Sequence, residues 1–266
     1  MMKKFKFRMT AAWLALAVFT LFVTVATEEI QAQTPAVDPA ATKILKKMTD
    51  YLGGLEQFSV QTRNNLEDLL ESGHRVDFQI SADLTIRRPN KLHAERKGDQ
   101  VDQTYYYDGK TLTLHNPSDR VYATEPAPGT IEEMLDYVRE SLGLIVPVAD
   151  LVYRNAFALL MQEVSMAVVI GKATIEGVRC DHLLFSRPGV DFQVWVADSG
   201  PPLPYKFIVT DTGLFAWMSI STVMSNWNTK PSLDDARFTF VPPEDASLIG
   251  FMPVSYTHLR AHETTC

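Results

Sequence analysis

Cysteine is nearly absent. The chain has 266 residues and two cysteines, and one of these, Cys266, lies in a tail that reads as foreign. The remaining Cys180 cannot close an internal disulfide, so the fold must be held by its core. Its strand-like surroundings, Val178-Arg179-Cys180-Asp181-His182-Leu183, make it a small buried hydrophobe rather than a reactive thiol. Basic runs are also missing. Residues 33–253 carry 20 Lys and Arg against 29 Asp and Glu, a net charge of −9. That balance argues against nucleic acid, or a surface of anionic lipid headgroups, as the main partner.

Motifs for chemistry are scarce as well. There is no Gly-x-Ser-x-Gly elbow, no phosphate-binding loop and no Gly-x-Gly-x-x-Gly. His74, His93, His115 and His182 form no His-x-x-x-His pair and no His/Cys cluster, so no metal, cofactor or catalytic residue is expected. Asp181-His182 and Asp191 imitate an acid/base pair, but solvent-facing strand carboxylates explain them more simply. A hydrolase would need them to converge on one pocket.

What the sequence does have begins with an export signal. Lys3, Lys4, Lys6 and Arg8 precede an apolar core, Ala11–Ala26, and Ala32 offers a small residue for cleavage. Residues 1–32 are therefore expected to direct the chain to the periplasm. No cysteine follows the core, which closes the lipoprotein route, and no later segment reaches the ~20 apolar residues of a membrane span. An uncleaved anchor is the alternative, and any other membrane contact is expected to be transient. Residues 254–266 follow a proline-rich exit and resemble a sequencing-adapter reading frame, so they are expected to be non-native. Residues 33–253 then form a single domain, large enough to fold on its own core.

Within that domain the hydrophobic period changes twice. Asp38–Leu52 has a helical stripe of Ile44, Leu45, Met48 and Leu52. After Gly53-Gly54 the period becomes two. Val76, Phe78, Ile80, Ala82, Leu84 and Ile86 alternate with polar residues without a break, the strongest strand signal present. Asp108-Gly109 marks a tight hairpin. Thr130-Ile131-Glu132-Glu133 is a capping box that opens a helix with Ile131, Met134, Leu135, Val138 and Leu142 on one stripe. A second helix is expected over Ala149–Glu163, apolar on more than one side. Strands then resume at Lys172–Ile175, Cys180–Ser186, Phe192–Ala197, Tyr205–Thr210, Trp217–Met224 and Arg237–Phe240. The fold class is mainly β with α. The expected architecture is an incomplete antiparallel β-barrel, a half-barrel of about 10–11 strands, with an N-terminal helix and a helical lid insertion.

Apolar supply exceeds what the strands alone explain, and it reads either as plain core or as a cavity for a flexible apolar ligand. The candidate lining residues are Phe78, Ile80, Leu84, Tyr105, Tyr107, Met134, Leu135, Val138, Leu151, Phe157, Leu160, Phe192, Val194, Phe207, Val209 and Trp217. The expected ligand is a lipid, an acyl chain or a lipidated peptide. The rival reading is an envelope sensor or scaffold that binds a protein partner through a filled core and an exposed apolar patch.

Several short motifs carry a resemblance. Arg88-Pro89-Asn90-Lys91-Leu92, Tyr107-Asp108-Gly109-Lys110 and His115-Asn116-Pro117 resemble the pattern of LolA-like periplasmic lipoprotein carriers. Cys180-Asp181-His182-Leu183, Phe192-Gln193-Val194-Trp195, Pro202-Leu203-Pro204-Tyr205-Lys206 and Phe238-Thr239-Phe240-Val241-Pro242-Pro243 resemble the predicted periplasmic family of domain of unknown function 2092. The resemblance spans about Asp38 to Pro253. It implies an incomplete barrel with helices as a lid, and a hydrophobic cavity in the relatives that carry lipoproteins. It also implies an Arg that holds the lid closed, whose position the sequence does not give.

Overall fold

A computed structural model describes residues 37–99, 101–142, 148–213 and 218–251. The expected export signal, the tail expected to be foreign and Trp217 lie outside these residues.

Alternation dictates the main element. Six strands run in order: β1 Gln57–Leu69, β2 Arg75–Arg87, β3 Lys91–Gly98, β4 Val101–Tyr107, β5 Thr111–Asn116 and β6 Val121–Pro126. Five more follow the central helices: β7 Met166–Ile175, β8 Val178–Arg187, β9 Val190–Ala197, β10 Pro204–Asp211 and β11 Ser219–Asn228. A two-residue strand, β12 Ser247–Leu248, ends the series. They form one open sheet in the order β12-β6-β5-β4-β3-β2-β1-β11-β10-β9-β8-β7. Each half is a meander, and the halves join where β1 pairs antiparallel with β11. β12 alone is parallel, against β6.

Register fixes which face is apolar. Phe58, Val60, Thr62 and Asn64 of β1 lie opposite Ile86, Leu84, Ala82 and Ile80 of β2. The same face continues through Leu92, Ala94 and Arg96 of β3, opposite Tyr107, Tyr105 and Gln103 of β4. A one-residue slip would turn all of these outward, so burial holds the register.

Helices cover this inner face. α1 spans Pro39–Gly54, with the Asp38 carboxylate accepting from the Ala40 amide at 2.7 Å and Ala41, Leu45, Met48 and Leu52 buried. Gly53 is required where α1 ends, because a Cβ there would collide with the Arg154 backbone. α2 spans Ile131–Ser141 and buries Ile131, Met134, Leu135 and Val138. Each such side chain stabilises the fold by roughly 1.5–3 kcal/mol. Its cap is as expected on one side, with the Glu133 amide donating to the Thr130 hydroxyl at 3.2 Å. The Glu133 carboxylate, however, accepts from that hydroxyl rather than from the Thr130 amide.

Two expected elements differ. Ala149–Glu163 is not one helix but a single 3₁₀ turn, Ala149–Leu151, followed by the short α3, Ala156–Met161. Side chains take the backbone groups a continuous helix would use: Arg88 donates to the Val152 carbonyl, and Glu132 accepts from the Arg154 amide. β7 consequently starts at Met166, ahead of Gly171. Arg237–Phe240 is not a strand either. Asp235–Phe238 forms a 3₁₀ turn capped by Asp234, with Phe238 fully buried under the Arg87 guanidinium.

The segment after β11 crosses the outer face of β3–β6. Phe240 packs against Tyr106, His115 and Tyr122, and Tyr106 meets His93 edge-on at 5.0 Å. His93 is buried there, and its Nδ1 has no hydrogen-bond partner among the described residues. Burial, reinforced by Arg237, lowers its pKa below 6.5, against the opposite pull of Glu95 and Asp83. The folded state then resists a proton that the unfolded chain accepts. Stability should fall as pH drops below about 6.5, and the loss should level off once pH passes the folded pKa. Denaturant midpoints measured from pH 7.5 to 5 should show a smaller decline for His93→Leu than for the parent. Identical declines would remove His93 from the account.

Candidate functional site

A cavity of about 110 Å³ lies between the inner face of the sheet and α2. Thr62 and Asn64 (β1), Ala82 and Leu84 (β2), Leu92, Ala94 and Arg96 (β3), Tyr105 (β4) and Leu112 (β5) line it from the sheet. Met134, Leu135 and Val138 of α2, with Val148, close it from above. The walls are mostly aliphatic. A dry cavity of about 150 Å³ takes up benzene, so this one is on the scale of a small ring and not of a long acyl chain.

Five of the sixteen candidate residues line it: Leu84, Tyr105, Met134, Leu135 and Val138. Tyr107 lies beside it, fully buried, and its hydroxyl donates to the Pro128 carbonyl, tying down the approach to α2. Burial, with nearby Glu133 and Asp108, pushes that phenol up to about 12. Leu151, Leu160, Phe192, Val194 and Phe207 are buried in the continuous core, with Phe157 and Val209 packed at its margin. Phe192 stacks on Phe185 there, with centroids 4.8 Å apart, and meets Phe207 at a tilt at 5.8 Å. Phe78 is half-buried and Ile80 buried farther along β2. Thus the cavity lies under α2, and most of the other candidates are buried in the core.

The floor contains a polar pair that sequence reading passed over. Asn64 donates to the Ile80 carbonyl and the Thr62 hydroxyl, both at 3.1 Å, and accepts from Thr222 at 2.7 Å. These bonds satisfy a buried amide that would otherwise be costly. Alternation from Phe58 and Val60 would have placed Thr62 and Asn64 on this face.

Arg88 enters the sequence reading only through the Arg88-Pro89-Asn90-Lys91-Leu92 motif, with no role of its own. Its side chain is fully inaccessible. It donates to the Leu55 carbonyl at 3.1 Å and the Val152 carbonyl at 2.5 Å, and it meets Glu132 of α2 at 3.3 Å. One guanidinium therefore joins the end of α1, the start of α2 and the turn before α3. Burial lowers its pKa, and Glu132 pulls the other way. Arg154 adds a second tie, donating to the Gly53 carbonyl at 3.1 Å and pairing with Glu56 at 3.3 Å.

The residues considered for acid/base chemistry do not come together. His182 stacks on Trp195 at 4.0 Å and bonds Gln193 at 2.9 Å. Asp181, on the other face of the strand, pairs with Lys172 at 2.7 Å. Asp191 lies opposite Ser186, four positions from the His182 register, about 13 Å along the strand. Cys180 is buried, and burial pushes its thiol up to about 11. Among the described residues no group of three His, Cys, Asp or Glu could hold a metal ion. None of the described helices is long and apolar enough to cross a membrane.

The sequence profile of the family described as "Predicted periplasmic protein (DUF2092)" matches residues 41–252, and the chain belongs to that family. No curated protein matches it. Solved structures it is similar to include the Mycobacterium tuberculosis lipoprotein LppX, at 18% identity over 74% of this chain and 100% of that one, with a TM-score of 0.49. LprF from Mycobacterium bovis aligns at 13% identity over 79% and 99%, with a TM-score of 0.47. A LolA superfamily protein from Nitrosomonas europaea aligns at 13% identity over 75% and 97%, with a TM-score of 0.36.

Removing the Arg88 guanidinium strands two carbonyls and a carboxylate. Arg88→Met should cost about 3–5 kcal/mol in urea unfolding, the range for breaking a buried pair from one side. Arg88→Lys should recover little, because one ammonium cannot reproduce the planar fork. Hydrogen exchange should speed up first in residues 131–161. A uniform increase across the sheet would contradict the placing of Arg88 as the tie between these segments.

Proposed function

We propose that this chain is a periplasmic binding protein for an apolar ligand, an acyl chain, lipid or lipidated peptide, held between the inner face of β1–β5 and α2. The observation that carries the reading is the aliphatic-walled cavity under a helix that spans only part of the sheet. Its small volume means that a full-length acyl chain enters only if α2 and the 148–161 segment move outward. Arg88 would then be the latch between open and closed states, the counterpart of the lid-holding Arg implied by the carrier resemblance. Each methylene buried contributes about 0.8 kcal/mol, so affinity should rise with chain length until the chamber is full. Export through residues 1–32, without a lipid anchor, would place the protein where such ligands need an escort through water. Binding, rather than catalysis, is the role proposed.

The rival role, docking of an envelope protein partner, finds support in Val241, Leu248 and Ile249, exposed on the segment that crosses the outer face. The two roles separate in one experiment. The chain is exported, purified without detergent, and analysed by native mass spectrometry with organic extraction. Near-stoichiometric lipid or acylated peptide is expected. Ala82→Phe, which drives a ring into the cavity, should lower affinity for the apolar dye N-phenyl-1-naphthylamine about tenfold. An empty protein that also ignores the dye would defeat the ligand-binding reading and favour the docking one.

A further inference from the structure

The cavity wall carries one charged residue, Arg96. It follows Leu92 and Ala94 on the inner face of β3, opposite Ala82 on one side and Gln103 on the other. Its guanidinium carbon lies 5.9 Å from the centroid of the Tyr105 ring. Its hydrogen bonds are two long, neutral ones, to the Tyr105 hydroxyl at 3.4 Å and the Gln103 amide oxygen at 3.5 Å. Arg63, Arg87, Arg139 and Arg154 each sit against a carboxylate; Arg96, like Arg187 and Arg237, makes no ion pair among the described residues, and of these three it alone lines the cavity. The acids nearest in register, Asp83, Glu95 and Asp102, belong to the opposite face of the sheet by alternation. A guanidinium offers five donors in a planar fork that matches a carboxylate or phosphate, and most of this one is unspent.

Position gives the ligand a polarity. Leu92 lies at the start of β3, just after Arg88, which bonds the Leu55 carbonyl at the end of α1, and Arg96 lies four residues farther, about 13 Å along β3. An acyl chain laid over Ala94 and Leu84 toward Leu92 would leave its head at Arg96. We infer that the ligand of this cavity is a single-chain amphiphile with an anionic head, a carboxylate or phosphate ester, which Arg96 and the Tyr105 hydroxyl receive. This rests on the apolar-ligand reading above and specifies its headgroup. The net charge of −9 over residues 33–253 does not oppose it, since charges beyond about 10 Å are screened, whereas Arg96 acts at contact. The same charge disfavours an anionic bilayer surface, so the head belongs to a dispersed molecule.

The test is displacement of N-phenyl-1-naphthylamine from the exported full chain by laurate, dodecyl phosphate and 1-dodecanol, each below its micelle concentration. Laurate or dodecyl phosphate should bind at least about tenfold more tightly than 1-dodecanol, with the gap narrowing as salt rises. Preference for laurate or for dodecyl phosphate identifies the head as carboxylate or phosphate. Arg96→Met should erase the gap, bringing laurate and dodecyl phosphate to the affinity of 1-dodecanol. If that variant fails to fold, the salt dependence of the gap in the parent protein decides the matter alone. Equal binding of all three ligands would overturn the headgroup inference and leave apolar binding standing. If neither the dye nor any of the three binds, the apolar-ligand reading itself fails.

Discussion

An open sheet with one apolar face must be covered, and this sheet is wider than its cover. Twelve strands at about 4.8 Å spacing span roughly 53 Å. α1, with 16 residues, reaches about 24 Å, and α2, with 11 residues, about 16 Å. The covers cannot seal the whole face, and the distribution of packing follows from that shortfall. Where α1 packs near β7 and β9, the aromatic side chains Phe185, Phe192 and Phe207 are buried in the core. Under α2 the wall residues on the sheet are smaller, with Ala82, Ala94 and Thr62 among them, and a hollow remains.

The polar groups near the hollow are arranged to keep it intact. Asn64, Thr62 and Thr222 satisfy one another at the floor, so the β1–β11 junction carries no unpaired buried amide. Tyr107 fixes the loop before α2 from below, and Arg88 fixes the turn after α2 from the side. The cover is thus held at its ends by directional bonds while its middle rests on an incompletely filled space. Directional bonds at the ends break discretely, which suits a two-position lid better than gradual loosening does.

Much of the fold was legible because its signals are local. The unbroken alternation of Val76–Ile86, the Asp108-Gly109 hairpin and the Thr130 cap each depend on neighbours in sequence, and each forms where it was read, although the Glu133 half of the cap takes the Thr130 hydroxyl. The break in Ala149–Glu163 was not legible, because the groups that interrupt it, Arg88 and Glu132, come from far along the chain. Arg237–Phe240 has strand-like composition, but a cap at Asp234 and a buried Phe238 decide its shape. The cavity was harder still. Apolar residues of core and cavity are chemically alike, so Phe192 or Phe207 could not be separated from Leu84 or Met134 by composition. Arg96 and Asn64 were readable in principle, since alternation places both on the inner face.

The central claim is that the helical cover opens as a unit over a stable sheet. Native-state hydrogen exchange under increasing denaturant tests it most directly. Amides of Ile131–Ser141 and Ala156–Met161 should exchange together through a local opening, at a free energy well below that of β1, β2 and β11. Exchange of those helices only through global unfolding, at the same free energy as the central strands, would contradict the account.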